Sequence, residues 1–421
     1  MKNGVVKVKQ QVNQIADFDS FTIMGDPGCD GLGAEIMATF AKGLTATRSD
    51  FAVILGDIVA ISEEVLYQRI SEFINMIAPY PTYLVCGNHD TDYYQKYFGL
   101  KDYLLVNDRI LFVVLDNSTR KFEEATLDFL QKSLKDYARD NIILMFHIPP
   151  PTGMTFNTVT AEEWEKVASV YRPYKEKIKY LLSGHVHTYF EDMVDGIRMI
   201  VSAGAGARLE NINKPVDKMK AFHHVLRFFF DAAGVLKFEH ITLDGKLYKK
   251  ELSDRSLRKI LQEAFQDECE AYVKYKLFAQ DALEKGLGGT AKLLRAIAES
   301  EFYQARNHFN NLNYLNTVLN NLEDCQNNED REIRQKYPGY LSLAEKKKHG
   351  LAKYTFFEAL EAERVHKGLF EEAVKAAKSG KDIELAQYYT CSSCGFSVRG
   401  TELPTNCPIC GAPIDKIFEV H

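Results

Sequence analysis

Five short apolar, β-prone runs in the first half of this chain each end in residues that bind metals or move protons. Phe21-Thr-Ile leads into Met24-Gly-Asp26-Pro-Gly28, and Phe51-Ala-Val-Ile into Leu55-Gly-Asp57. Thr82-Tyr-Leu-Val-Cys86 leads into Gly87-Asn88-His89-Asp90, Asn141-Ile-Ile-Leu into Phe146-His147, and Tyr180-Leu-Leu into Ser183-Gly-His185-Val-His187. Open α/β sheets present ligands at the carboxyl ends of their strands. Asp, Asp, Asn-His, His and His-x-His delivered there mix hard oxygen with imidazole, a donor set for one or two divalent transition metals. A two-metal hydrolase needs a carboxylate shared by both ions, separate ligands for each, and an acid for the leaving oxygen. A lone Gly-Asp is a turn, and a lone strand histidine is usually a satisfied core residue; five in order argue for a site.

The second half repeats the logic on helices. Leu257, Leu261, Ala264 and Phe265 lead at spacings of three and four to Glu268, then to Tyr272 and Tyr275. Leu294 and Ile297 lead to Glu301 and Gln304, and Phe356 and Leu360 to Glu363 and His366; Glu329 and Glu332 lie between. That spacing puts the carboxylates on apolar seams, where single charges are costly unless paired or metal-bound. Together they approximate a di-iron carboxylate bundle. At the C-terminus, Cys391-Ser-Ser-Cys394-Gly and Cys407-Pro-Ile-Cys410-Gly form two knuckles in a tail too small to fold on apolar burial alone. Four thiolates favour zinc or iron, and Tyr388, Ile414 and Phe418 offer a small apolar core.

The elements that must position these groups change character twice. Up to about Leu243, strands alternate with amphipathic helices such as Glu63–Ile77 and Glu123–Tyr137, with a late strand from Val225 to Phe230. Asp244-Gly245 reads as a turn and the charged stretch to Asp254 as a linker. From Arg255 to about Ser379 four helices fit, broken near Gly286–Gly289, near Asn320–Asn328 and between Pro338 and Gly350. The expected domains are therefore 17–245, 255–380 and 386–421. A length of 421 residues suits several domains. The net charge of −6, with Lys346-Lys347-Lys348 the one basic run, carries no nucleic-acid-binding footprint. No signal peptide or membrane-spanning run is evident, so a cytoplasmic location is expected. Eight cysteines, four of them in the two knuckles, suit a reducing compartment better than a disulfide framework.

The order Gly25-Asp-x-Gly28, Gly56-Asp57, Gly87-Asn-His-Asp90, His147, Gly184-His-x-His187 resembles the calcineurin-like metallophosphoesterases over roughly Thr22 to Gly206. The resemblance implies an αββα sandwich in which Asp57 bridges two metals (Mn, Fe or Zn). Asp26 and His187 belong with the first metal, and Asn88, His147 and His185 with the second. His89 would protonate the leaving group, oriented by Asp90. The chain departs from the family in two places. Gly28 stands where most members have the histidine of Asp-x-His, similar to the Gly-Asp-x-Gly of purple acid phosphatases, and Ala60 stands where those enzymes have a tyrosine. Cys29 and Cys86, beside the first and third motifs, read either as buried small hydrophobes or as groups that see the metals.

The helical segment resembles rubrerythrin. Asp-Glu268-Cys-Glu-Ala, Asn321-Leu…Glu329-x-x-Glu332…Tyr337-Pro338 and Glu363-x-x-His366 match its ligand motifs. The resemblance implies a ferritin-like four-helix bundle with a di-iron centre held by Glu268, Glu301, Glu329, Glu332, Glu363 and His366. Tyr275 and Tyr337 would hydrogen-bond the ligand carboxylates. Gln304 stands where the second helix should carry His. In that context the tail resembles a rubredoxin with one Fe(Cys)4 iron on Cys391, Cys394, Cys407 and Cys410; a zinc ribbon is the alternative. Two functions follow. One is hydrolysis of a small phosphomonoester or phosphodiester by a two-metal-activated hydroxide, beside a redox module. The other is rubrerythrin-type reduction of hydrogen peroxide by an electron donor acting through the rubredoxin, with an accessory, regulatory or degenerate phosphoesterase domain. With the tail hanging beyond the end of the last helix, electrons would cross between subunits of an antiparallel homodimer, which the resemblance also implies.

Overall fold

The computed structural model describes residues 3–210, 221–243, 255–312, 314–400 and 405–420. The turn read at Asp244-Gly245 and the linker to Asp254 lie outside them. The chain divides into two compact units, Met1–Ser253 and Asp254–His421.

In the first unit the chain order is β1 (Gly4–Val5), β2 (Val12–Gln14), β3 (Ser20–Met24), α1 (Ala34–Thr45), β4 (Phe51–Ile54), α2 (Glu64–Ile77), β5 (Pro81–Leu84) and α3 (Tyr94–Tyr97). It continues through β6 (Tyr103–Val106), β7 (Ile110–Val114), α4 (Glu124–Tyr137), β8 (Asn141–Met145), α5 (Ala161–Tyr171) and β9 (Ile178–Ser183). It ends with β10 (Tyr189–Val194), β11 (Ile197–Ser202), β12 (His224–Phe230) and β13 (Leu236–Thr242). One sheet runs β1-β5-β4-β3-β12-β13 and the other β10-β11-β9-β8-β7-β6-β2. The strands that lead into the five motifs are parallel neighbours: β3, β4 and β5 in one sheet, β8 and β9 in the other.

Period-two alternation builds the layers. Phe21, Ile23, Phe51 and Val53 face Phe112, Ile143, Met145 and Leu182 between the sheets. Met24, Ala52 and Ile54 face the other way, onto α1 and α2, while Ile142 and Leu144 face α4 and α5. The expected αββα sandwich results. Its motif-bearing strands are apolar on both faces because both faces are covered.

The second unit begins with α6 (Arg255–Glu284) and α7 (Gly288–Asn311), turned at Gly286, whose φ is +74°. They form an antiparallel hairpin: Phe265 meets Phe309 at 5.4 Å, Tyr272 meets Phe302 at 5.9 Å, and Lys276 Nζ lies 2.6 Å from Glu299 Oε1. Next come α8 (Val318–Arg331), a π-turn over Glu332–Lys336, α9 (Tyr337–Lys346) and α10 (Gly350–Lys378). α10 runs back along this rod, with Lys367 on Asp330, Lys378 on Glu323, and Phe356 on Tyr340. The break expected near Asn320–Asn328 falls earlier. Thr317 Oγ1 accepts the Asn320 N–H, and the Asn321 side chain holds Asn316, so these polar residues cap the start of α8 rather than interrupt it.

Each pair of helices is packed within itself. Among the described residues, neither helix of the first pair packs along a helix of the second. Val273, Leu277, Phe278 and Leu293 on the first pair, and Leu343, Leu351, Tyr354 and Phe357 on the second, are exposed.

After α10, Gly380 takes a left-handed conformation (φ +69°), and the chain reverses. The tail forms a three-stranded antiparallel sheet of β14 (Gln387–Cys391), β15 (Ser397–Gly400) and β16 (Ile417–Glu419), in the order β15-β14-β16. It does not hang beyond the helix. Its core packs against Val365 of α10, and Arg399 reaches Glu372 and Glu384 at 3.4 and 3.1 Å. That core is Tyr389, Phe396 and Ile417, rather than Tyr388, Ile414 and Phe418. Tyr388 and Phe418 sit one residue out of register with the buried face of their strands, and a slip of one inverts every side chain. No described helix is long and apolar enough to cross a membrane.

Candidate metal centres

In the first unit the strand tips bend sharply into the site. Asp26, Asp57, His185 and His187 all have positive φ (57°, 51°, 73° and 28°), and Gly56 has φ +97°. Non-glycine residues adopt this conformation at a cost that the surrounding structure must repay, and such positions cluster at active sites. Glycines let the tips approach one another. A Cβ at Gly87 would lie 2.2 Å from Asp57 Oδ1, one at Gly184 would lie 2.5 Å from Asp26 Oδ2, and one at Gly56 would lie 2.4 Å from His147 Nδ1.

The side chains converge as the motifs require. His147 donates from Nδ1 to the Leu55 carbonyl at 2.7 Å, which leaves its Nε2 lone pair facing inward. Around that Nε2 lie Asn88 Oδ1 at 3.0 Å, His185 Nδ1 at 3.2 Å and Asp57 Oδ1 at 3.3 Å. Asp26 accepts the His185 N–H on both oxygens at 3.0 Å, and His187 Nε2 lies 3.7 Å from Asp26 Oδ1. Two prospective ligand groups emerge, Asp57/His147/His185 and Asp57/His187/Cys29, and they share the Asp57 carboxylate. Oxygen and imidazole donors on either side of one carboxylate fit a pair of divalent ions.

The buried charges act strongly on one another. Burial works against the Asp57 carboxylate, but His147 and the N–H of His89 hold it below the usual range. Burial pulls His147 down, yet Asp57, Asp26 and the Leu55 carbonyl together outweigh it and lift the imidazole to about 9. Burial pushes Asp26 well up, and burial with His147 beside it drives His185 down to about 3.

His89 is about 39% exposed, its Nδ1 bonded to the Ala60 carbonyl at 2.6 Å and its Nε2 3.9 Å from Asp57 Oδ2. Asp90 does not orient it. Its buried carboxylate accepts the N–H groups of Ile58, Val59 and Gly87 at 2.8, 3.1 and 2.9 Å, and so ties the Asp57 loop to the Asn88 loop. Burial, with Asp57 adding to it, pushes this carboxyl up to about 7. Three residues escaped the sequence reading. Arg120 Nη2 and Asn157 Oδ1 sit 3.1 and 2.9 Å from His185 Nε2, and Asn117 Oδ1 accepts the His147 and Ile148 N–H groups. They come from loops with no motif, so only the fold could reveal them.

In the second unit the expected ligands form two groups. Glu268 and Glu301 share a hydrogen bond across the first pair of helices, which raises Glu301. Glu329, Glu363 and His366 converge on the second pair, with His366 Nδ1 2.9 Å from Glu363 Oε2. Burial first and Glu363 second lift Glu329 to about 8, and its Oε2 is buried with no hydrogen-bond partner. An orphaned carboxylate oxygen beside a second carboxylate and an imidazole is a donor set that fits iron. Glu332 turns to Lys336 at 2.9 Å, on the π-turn. Burial raises the Tyr337 hydroxyl, and the nearby Glu363, Glu332 and Glu329 add to it. Tyr275 is half-buried on α6, about two turns beyond Glu268. Gln304 is exposed and bonds Ser300.

In the tail, Cys391 Sγ lies 3.8 Å from Cys410 Sγ, and Cys394 Sγ 3.5 Å from Cys407 Sγ. A tetrahedral site with metal–sulfur bonds of about 2.3 Å has edges of about 3.8 Å, so the four thiols match one ion of zinc or iron. Gly395 and Gly411, at φ +79° and +71°, close the knuckles. Burial raises Cys391, but the N–H groups of Cys394 and Ser393, with the Cys407 and Cys410 thiols, outweigh it and bring the thiol to about 7.

Comparison with known proteins follows the same divisions. The model of the calcineurin-like phosphoesterases matches residues 20–189, that of rubrerythrin 259–374, and that of the rubrerythrin rubredoxin-like domain 389–418. Rubrerythrin-2 of Clostridium acetobutylicum is 36% identical over 170 residues, 37% of this chain and 92% of that protein. The chain belongs to the rubrerythrin family. A rubrerythrin of Clostridium perfringens is 25% identical over 190 residues, covering 41% of this chain and 97% of the relative. Among solved structures, a purple acid phosphatase from yellow lupin (Lupinus luteus) seeds aligns at 14% identity with a TM-score of 0.45, over 54% of this chain and 52%, about half, of that one. The chain thus carries a metallophosphoesterase domain ahead of its rubrerythrin and rubredoxin-like parts, a hydrolase joined to an oxidoreductase, both metal-binding.

Proposed function

We propose that the first domain hydrolyses a small phosphomonoester or phosphodiester, and that the rubrerythrin part reduces hydrogen peroxide with electrons received at the tail. The observation that carries the first reading is the sharing of Asp57 between two ligand groups, with the partly exposed His89 imidazole beside it. Divalent ions, as Mn, Fe or Zn, would be held by Asp26, Asp57 and His187 on one side and by Asp57, Asn88, His147 and His185 on the other. When bound, they neutralise phosphate charge and activate water. The bond from His89 Nδ1 to Ala60 turns Nε2 toward the leaving oxygen, which it protonates. The Arg120 fork, beside His185, is suited to hold a phosphate oxygen. The test uses aryl phosphates, bis-aryl phosphates and cyclic nucleotides with Mn²⁺ or Fe²⁺. His89→Ala should slow metal-dependent turnover by ~10²–10⁴-fold, the usual reach of general acid catalysis. No turnover of any of these by the unmutated protein would leave a degenerate binding domain.

A specific observation favours the second reading too: the partnerless Glu329 oxygen beside Glu363 and His366, on the helix that carries the tail. In this reading the tail holds one Fe(Cys)4 iron rather than zinc, and the domains are 17–245, 255–380 and 386–421, in the cytoplasm. A di-iron site needs both helix pairs, and each pair leaves an apolar face exposed. The homodimer of this reading is accordingly one in which the helix pair bearing Glu268 and Glu301 in one copy covers the helix pair bearing Glu329, Glu363 and His366 in the other. The tail beside Val365 would then serve the site on its own chain's α10.

A further inference from the structure

We propose that Cys29 is a protein ligand of the ion held by Asp26, Asp57 and His187. The inference rests on the metallophosphoesterase reading and adds to it a thiolate that the family's motif lacks.

The motif itself leaves a gap at this ion. Most calcineurin-like members have a histidine two residues after the first aspartate, and here that residue is Gly28. The backbone leaves no room for any side chain there: a Cβ on Gly28 would lie 1.9 Å from the carbonyl oxygen of Ile58 and 2.6 Å from its carbon. Both atoms belong to the chain that carries Asp57, and Gly28 is held to that chain by its own N–H to the Asp57 carbonyl at 3.1 Å. The missing histidine therefore cannot be accommodated without moving the bridging carboxylate.

The next residue takes its place. Cys29 is buried, and its Sγ lies 3.0 Å from His187 Nε2. Its sulfur, a carboxylate oxygen of Asp57 and a nitrogen of His187 all lie within 4.8 Å of one another. Atoms that bind one ion at about 2.0–2.3 Å stand about 3–4 Å apart, which spans the 3.0 Å from Cys29 to His187 and the 3.7 Å from His187 to Asp26. Cys86 does not share this geometry: its Sγ faces the carbonyl of Asp90 at 3.2 Å. The resulting set of two carboxylates, one imidazole and one thiolate is softer than the oxygen and imidazole set opposite it. It selects zinc, iron or cobalt over magnesium or manganese at this position.

The test is ¹¹³Cd NMR of the full chain, stripped by chelation and reloaded anaerobically with ¹¹³Cd²⁺. Each site gives its own resonance, and thiolate ligands move it downfield. The unmutated protein should show the far-downfield signal of the four-cysteine tail and a separate signal displaced by one thiolate. Cys29→Ser should return only the second signal to the nitrogen–oxygen range. A spectrum of the unmutated protein with nitrogen–oxygen signals and the tail signal, but none of single-thiolate character, would overturn the assignment without recourse to any variant. So would a single-thiolate signal unmoved by Cys29→Ser. If Asp57→Asn alters no signal, the metal reading of the first domain falls with it, and that outcome is distinct from the other two.

Discussion

The two carboxylate centres of this chain are assembled in opposite ways. At the strand tips of the first unit, Asp26, Asp57, His147 and Asp90 are all but fully buried, and each is held by backbone groups from another tip. On the helices, Glu268, Glu301, Glu329, Glu363 and His366 are half-exposed and fall into two groups. A sandwich covers one face of each sheet with the other sheet and the opposite face with its own helices, so one chain can finish the site. A helix pair has a second apolar stripe and must find a partner for it. Residue type and spacing look equally good in both halves; closure is what differs.

The largest expected effect separates the two centres. Asp57→Asn should abolish phosphoester turnover, since one carboxylate serves both ligand groups, and leave the peroxidase rate unchanged; a parallel fall in peroxide reduction would show that the centres are coupled. Next, a mixture of Glu268→Ala and Glu363→Ala subunits should regain about a quarter of the unmutated peroxidase rate, because half the random dimers hold one intact composite site of two. Each variant alone should be inactive. If the mixture is inactive as well, each bundle closes within one chain.

Packing supplies a smaller contrast. Gly184→Ala forces a Cβ onto Asp26 and the Leu55 carbonyl and should cost the first unit about 1–3 kcal/mol in thermal unfolding. Gly289→Ala meets nothing within 4 Å at the start of α7 and should leave the melting temperature unchanged or slightly higher.

A pH titration sharpens the electrostatic side. Glu329 is raised in the folded chain to about 8, so protonation favours the folded state. In metal-free protein this contribution is present below the ordinary glutamate range and is lost as pH rises through about 8. The second unit should therefore melt higher at pH 5 than at pH 8.5, and Glu329→Gln should flatten that difference. The smallest effect is expected at Gln304, which is exposed and bonds only Ser300 among the described groups. Gln304→His should raise the peroxide rate modestly without changing iron content; an unchanged rate would mean that this position takes no part.

Much of this molecule is written locally. The five β-prone runs that end in Asp, Asn, His and glycine, the two Cys-x-x-Cys-Gly knuckles and the Glu-x-x-His on α10 each declare a donor and the element that carries it, because strand period, helix period and knuckle spacing are properties of neighbouring residues. Three-dimensional closure decided the rest. Asp90 sits beside His89 in sequence yet serves Ile58, Val59 and Gly87, since a buried carboxylate goes wherever backbone N–H groups lack partners. Arg120 and Asn157 reach His185 from loops that no pattern marks. Gly380 folds the tail back onto Val365 instead of letting it trail. Whether Gly28 leaves an ion short of a ligand, or makes room for Cys29 to supply one, depends on the position of the Ile58 carbonyl, which belongs to the fold and not to the motif.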